Sequence, residues 1–203
     1  QRTRAKVGVK SAVFDEILLR CAVLGMSTSE ALLDAFLRAE GDTTLQAAMD
    51  EAIDVWINSG VLREAAGRQA ELLVFDHILL REVILEDVPT RKLRRLHKLA
   101  AMTKREHYFP YLQAVAADIA EHYVRAGEVE ASCEYRMLAA RSAEAAGNFA
   151  EAARHFGDLV RCVEQPAALD AEGSGGLSRS GLLRASIDMG EVYLGLGRIA
   201  IAQ

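Results

Sequence analysis

Apolar residues recur at intervals of three and four along most of this 203-residue chain, and between Val61 and Phe75 the period gives way to short apolar runs around a polar turn. That spacing puts the apolar side chains on one face of a helix; a strand needs alternation instead. Val13, Phe14, Ile17, Leu18, Cys21 and Leu24 form a first stripe that Gly25 ends. Ser27 or Thr28 can cap a second helix, with Glu30 in its first turn and Leu32, Leu33, Phe36 and Leu37 on its apolar face. Thr43 or Thr44 opens a third, carrying Leu45, Met49, Ala52, Ile53, Trp56 and Ile57. Val61-Leu62 and Leu72 to Phe75 then flank the polar, Gly67-containing stretch Glu64 to Gln69, which reads as a small hairpin. Helical spacing resumes at Asp76 and runs to about Asp87.

Three helices followed by a hairpin is the order of a winged-helix domain, expected over residues 1–88. A connecting basic helix is expected over 89–109. It carries Leu93, Leu96, Leu99 and Ala100 on one face and Arg91, Lys92, Arg94, Arg95 and Lys98 mostly on the other, which reads as a solvated face. Further helices are expected at about 110–126, 129–146 and 149–165. Pro166 and Gly173-Ser174-Gly175-Gly176 mark a loop over about 165–181, before a last helix from about Leu182 to Leu196.

Within 110–203 one pattern occurs three times. Its copies are Ile119-Ala120, Tyr123, Gly127 and Ser132; then Ala139-Ala140, Ala143, Gly147-Asn148-Phe149, Ala152 and Phe156; then Met189-Gly190, Tyr193, Gly197 and Ala202. A small residue stands seven positions before a turn glycine and another five after it. Small residues let helices approach closely, and glycine permits the turn between them. The pattern resembles the tetratricopeptide repeat. The glycines at 127 and 147 are 20 apart and those at 147 and 197 are 50 apart, against a family period of about 34 residues. The fold class expected is therefore mainly α, a winged helix followed by a solenoid of degenerate helical hairpins. Tyr123, Gly127, Gly147, Phe149, Gly190, Tyr193 and Gly197 are the residues expected to shape the repeats. Such repeats imply a protein or peptide partner on a concave surface.

Several functions are argued against by what the chain contains. Residues 1–105 hold 16 Lys and Arg against 15 Asp and Glu, while residues 106–203 hold 8 against 14. The chain's net charge of −5 thus lies in its second half, and that acidic half suits nucleic acid poorly. The third helix has no Lys or Arg between Thr43 and Gly60 and carries Asp50, Glu51 and Asp54, so it is ill suited to a phosphate-lined groove. Cys21, Cys133 and Cys162 are odd in number and far apart, which suits reduced thiols in the cytoplasm. No apolar run approaches a membrane span of about 20 residues. His97, His107, His122 and His155 are scattered rather than set at metal-ligand spacing, and Glu121-His122 and Arg154-His155 read as helix-surface pairs. No glycine loop ends in Lys-Ser or Lys-Thr, so no nucleotide or other cofactor site is expected in the chain itself. No catalytic residues, and no enzyme activity, are expected.

The stretch Leu18 to Gly25, the hairpin after it and Phe75-Asp76-His77-Ile78-Leu79-Leu80-Arg81-Glu82 resemble the winged-helix region of signal-transduction ATPases with numerous domains, the STAND class. The order of winged helix, basic helix and helical repeats is similar too. In bacteria that class includes multidomain regulators and ATPases linked to cyclases or kinases. The resemblance implies a preceding ATPase domain that binds ADP or ATP, with the winged helix holding its inactive ADP state. It also implies that His77 stands where the class has a histidine contacting the β-phosphate of ADP, with Ile78 in place of the motif's Asp. The chain opens Gln1-Arg2-Thr3-Arg4 without Met and stops early in its third copy, as expected of a piece of a longer cytoplasmic protein. A partner-docking scaffold without a switch, or a DNA-binding regulator, are the alternatives.

Overall fold

The computed structural model of the chain describes residues 2–66, 71–164 and 197. In order these form α1 (Arg2–Leu24), β1 (Ser27–Ser29), α2 (Glu30–Glu40), α3 (Thr43–Asn58), β2 (Leu62–Ala66), β3 (Glu71–Phe75), α4 (Ile78–Glu86), α5 (Thr90–His107), α6 (Leu112–Ala126), α7 (Val129–Ala145) and α8 (Phe149–Glu164). The protein is mainly helical with one small antiparallel sheet. It divides into two compact units, residues 1–103 and 104–203, and the division falls inside α5.

In the first unit α1 packs against α2, α3 and α4. Its Ile17, Val23 and Leu24 are buried with Leu33, Phe36 and Leu37 of α2 and Leu62 of β2. The hairpin forms as the paired apolar runs predict, with Leu62 opposite Phe75 and Glu64 opposite Leu73. A third strand was not foreseen. Ser27-Thr28-Ser29 forms β1 against β3, Thr28 facing Leu73, so the sheet runs β1-β3-β2. This moves the cap of α2. Neither Ser27 nor Thr28 serves; the Ser29 hydroxyl accepts from the Leu32 N–H at 3.2 Å. Thr43 opens α3 as expected, and Asp42 caps it, accepting from the Thr44 and Leu45 N–H groups. Ser29→Ala is expected to cost about 1 kcal/mol, read as a lower urea midpoint in the fluorescence of Trp56, the one tryptophan of the chain.

A polar cluster is set into this unit. Arg20 of α1 lies buried and donates to Glu16 on its own helix. It also grips Glu40, at the end of α2, through Nε and Nη2 at 2.9 and 2.8 Å. From α5, Lys92 reaches Glu16 at 2.7 Å and Arg95 reaches Glu40 at 3.4 Å. The basic run of α5 is therefore more than a solvated face, because two of its cations complete this cluster. Burial pushes the Glu16 carboxyl up, but hydrogen bonds from Lys92 and Arg20 outweigh it and hold it below the usual carboxylate range.

In the second unit α6 packs on α7 and α7 on α8. The short connections at 127–128 and 146–148 make successive helices antiparallel neighbours. Met137, Ala140, Ala152, Phe156 and Leu159 form the buried core between α7 and α8, with Cys133, Ala143, Phe149, Ala153 and Val160 packed around it.

Candidate functional site

His77 is the N-cap residue of α4, with extended backbone and no side-chain cap hydrogen bond. Its ring is 77% exposed, and Nε2 lies 3.7 Å from Asp76 Oδ2. Asp76 in turn is 3.8 Å from Arg63 Nε on β2. The other residues of the motif divide by task. Phe75 is buried, and Arg81 donates through Nε to the Ala22 carbonyl at 2.7 Å, tying α4 to α1. The helix so held buries none of its residues. Ile78, Leu79 and Val83 are 55%, 67% and 62% exposed. An apolar ridge thus begins beside an imidazole, at a helix end whose N–H groups favour an anion. On α3 the side chains of Asp50 and Asp54 are exposed, so its solvent face is acidic as the sequence implied.

Ala120 and Ala140, seven positions before their glycines, are buried, as are Ser132 and Ala152, five after. Gly127 and Gly147 take φ of +81° and +74°. This left-handed conformation costs a side-chain-bearing residue about 1 kcal/mol or more. The Gly127 N–H closes α6 on the carbonyls of Tyr123 and Val124. Tyr123 is buried and stacks on Tyr135 of α7, with ring centroids 5.6 Å apart and planes at 24°. Phe149 is half-buried against the α7–α8 core. Gly190 and Tyr193 lie outside the described residues, and Gly197 is exposed.

The two pairs read as surface pairs are only half so. Glu121 and Arg154 are exposed, but His122 and His155 are buried. His155 follows Ala152 by three positions and precedes Phe156, which turns it to the inner edge of α8. Burial first, then the Arg154 guanidinium, hold its pKa below the usual histidine value. The sequence reading also passed over Arg136 and Asp158, which pair between α7 and α8, with Arg161 on the same carboxylate. Burial pushes Asp158 up, and the hydrogen bonds and charges of Arg161 and Arg136 overcome it, holding the carboxyl down. Cys21 is buried, which pushes its thiol up to about 12 and leaves it protonated and unreactive at neutral pH.

His155 sets a pH dependence. Its folded pKa lies below the 6.5 of an unperturbed histidine, so its share of stability is complete above 6.5 and is lost as pH falls through that value and on to the folded one. His155→Gln is expected to flatten the decline of unfolding free energy as pH falls below 6.5. Equal slopes in wild type and variant would show that the ring titrates alike in both states.

Among the described residues no helix is long and apolar enough to cross a membrane, and no group of three or more His, Cys, Asp or Glu is placed to hold a metal ion. Comparison with protein-family models, with curated proteins and with solved structures finds no match for the chain.

Proposed function

We propose that this chain is a non-catalytic regulatory and protein-interaction module of a multidomain signalling ATPase of the STAND class, acting in the bacterial cytoplasm. Its first part is read as a winged helix that holds a preceding ATPase domain in the ADP state. Its second is read as tetratricopeptide-like repeats that receive a protein or peptide effector. The observation that carries this is α4, tied to α1 through Arg81 yet with Ile78, Leu79 and Val83 turned to solvent and His77 exposed at its start. An apolar ridge on a firmly held helix suits a docked domain. The exposed imidazole suits a nucleotide phosphate that such a domain would bring, to which it would supply one hydrogen bond. No glycine loop in this chain would bind that nucleotide by itself.

The order helix, strand, two helices and hairpin, with β1 beside β3, supports the winged-helix reading. Buried small residues on either side of left-handed glycine turns support the repeats. The acidic face of α3 argues against DNA as the partner. A docking scaffold without a switch is the second reading, favoured by the charged cavity between α6, α7 and α8, which needs no nucleotide to work.

Light scattering on size-exclusion peaks of this chain mixed with the ATPase region separates the two. A complex that is tighter with ADP than with ATP, that loses about tenfold in affinity with His77→Ala and that is abolished by Leu79→Asp is the expected result. No complex under any nucleotide condition would remove the clamp and leave the scaffold.

A further inference from the structure

Ile78, Leu79 and Val83 of α4 stand in solvent, while Arg81 is turned inward to the Ala22 carbonyl. Leu79 and Val83 are one turn apart, and Glu82 and Glu86 follow them by three residues each, which puts all four on one face. Both glutamates are exposed, and neither is paired among the described residues. The last turn of α4 holds no basic residue, and Asp87 follows it. Carboxylates there meet the negative end of the helix dipole, an unfavourable place for them. The start of the helix has the opposite character. No side chain caps it at His77, so its first N–H groups favour an outside acceptor. Exposed His77 and Arg63 stand beside it, with Nε2 and Nε 3.7 and 3.8 Å from the two oxygens of Asp76. Those separations exceed a hydrogen bond, so both groups can turn to another carboxylate.

One helix face thus carries an apolar centre, an acidic end and an end rich in donors. Such a face is complementary to itself when turned through a two-fold axis. Two copies of α4 laid antiparallel and crossing at the level of Arg81 set Leu79 of each beside Val83 of the other. Glu86 lies about 7.5 Å from that level along the helix axis, and His77 lies about 6 Å from it on the other side. Glu86 of one copy therefore comes level with His77 of the other, where Arg63 also stands. A parallel pair would set the two acidic ends side by side. We propose that this face is the contact of a two-fold dimer, in which α4 lies antiparallel on α4 of a second copy. The nine residues of α4 make a small contact, so the dimer is weak and reversible. The same ridge is the proposed seat of the ATPase domain, so the two occupants exclude each other, and the dimer does not depend on that domain.

Sedimentation velocity of the chain alone, loaded at about 10 μM to about 1 mM, tests the dimer. The average mass should climb from monomer toward dimer across that range. Leu79→Asp should remain monomeric throughout, with the helical circular dichroism unchanged. Arg63→Glu and Glu86→Lys, each at an exposed position, should dimerise about tenfold more weakly, because each sets like charges together at both ends of the contact. Mixed in equal amounts, these two variants should associate as tightly as the unaltered chain, since both ends then join a cation to a carboxylate. That recovery is particular to the antiparallel arrangement. A chain that stays monomeric at every concentration overturns the dimer. So does self-association that survives Leu79→Asp, or a mixture no tighter than its separate components. The ATPase clamp stands or falls separately, on the mixture with the ATPase region.

Discussion

Arg20→Ala is expected to lower the unfolding free energy of the first unit by about 3 kcal/mol. The guanidinium is 5% exposed and holds Glu16 and Glu40 together, and the Glu40 side chain is itself only 13% exposed. Removing Arg20 takes both short hydrogen bonds from Glu40 and leaves it Arg95 at 3.4 Å. Glu16 keeps Lys92 at 2.7 Å and has solvent to turn to, so the loss falls mainly on Glu40. An uncompensated carboxylate at the joint of α1, α2 and α5 is the destabilising species, rather than the missing attraction. The double variant Arg20→Met, Glu40→Leu should therefore recover much of what Arg20→Ala loses, since it removes both charges. Urea unfolding followed through Trp56 measures all three proteins. A loss below about 1 kcal/mol for Arg20→Ala would mean that the cluster behaves as an ordinary surface ion pair.

That cluster also shows how far the sequence could be read. The helices, the Gly127 and Gly147 turns and the β2–β3 hairpin were legible because each depends on neighbours within a few residues, whose period and turn chemistry lie in the sequence. The role of α5 was not. Lys92 meets Glu16 across 76 residues and Arg95 meets Glu40 across 55, and nothing local distinguishes a cation with a buried partner from a solvated one. β1 was hidden for the same reason. Three hydroxyl residues carry no alternation, and their strand exists only through pairing with β3. In the second unit residue type misled. His122 and His155 are polar, yet each stands on the inner edge of its helix. The cavity draws on α6, α7 and α8 together, so no single stretch announces it.

Phe156→Ala is expected to cost about 4 kcal/mol, the range for emptying a buried aromatic position. Phe156 is 2% exposed at the centre of the cluster of Met137, Ala140, Ala152 and Leu159. Two of those four neighbours are alanines, whose short side chains have no reach with which to fill the space. Phe149→Ala, at the half-buried edge of the same cluster, should cost roughly half as much, because solvent enters without opening a cavity. Amide exchange measures both. In Phe156→Ala the protection of α7 and α8 amides should fall together, since this cluster is what joins the two helices. Protection lost from α8 with α7 unchanged would show that α6 alone suffices to hold α7. The expected joint loss also separates Arg136 from Asp158, which only the seating of α8 keeps together.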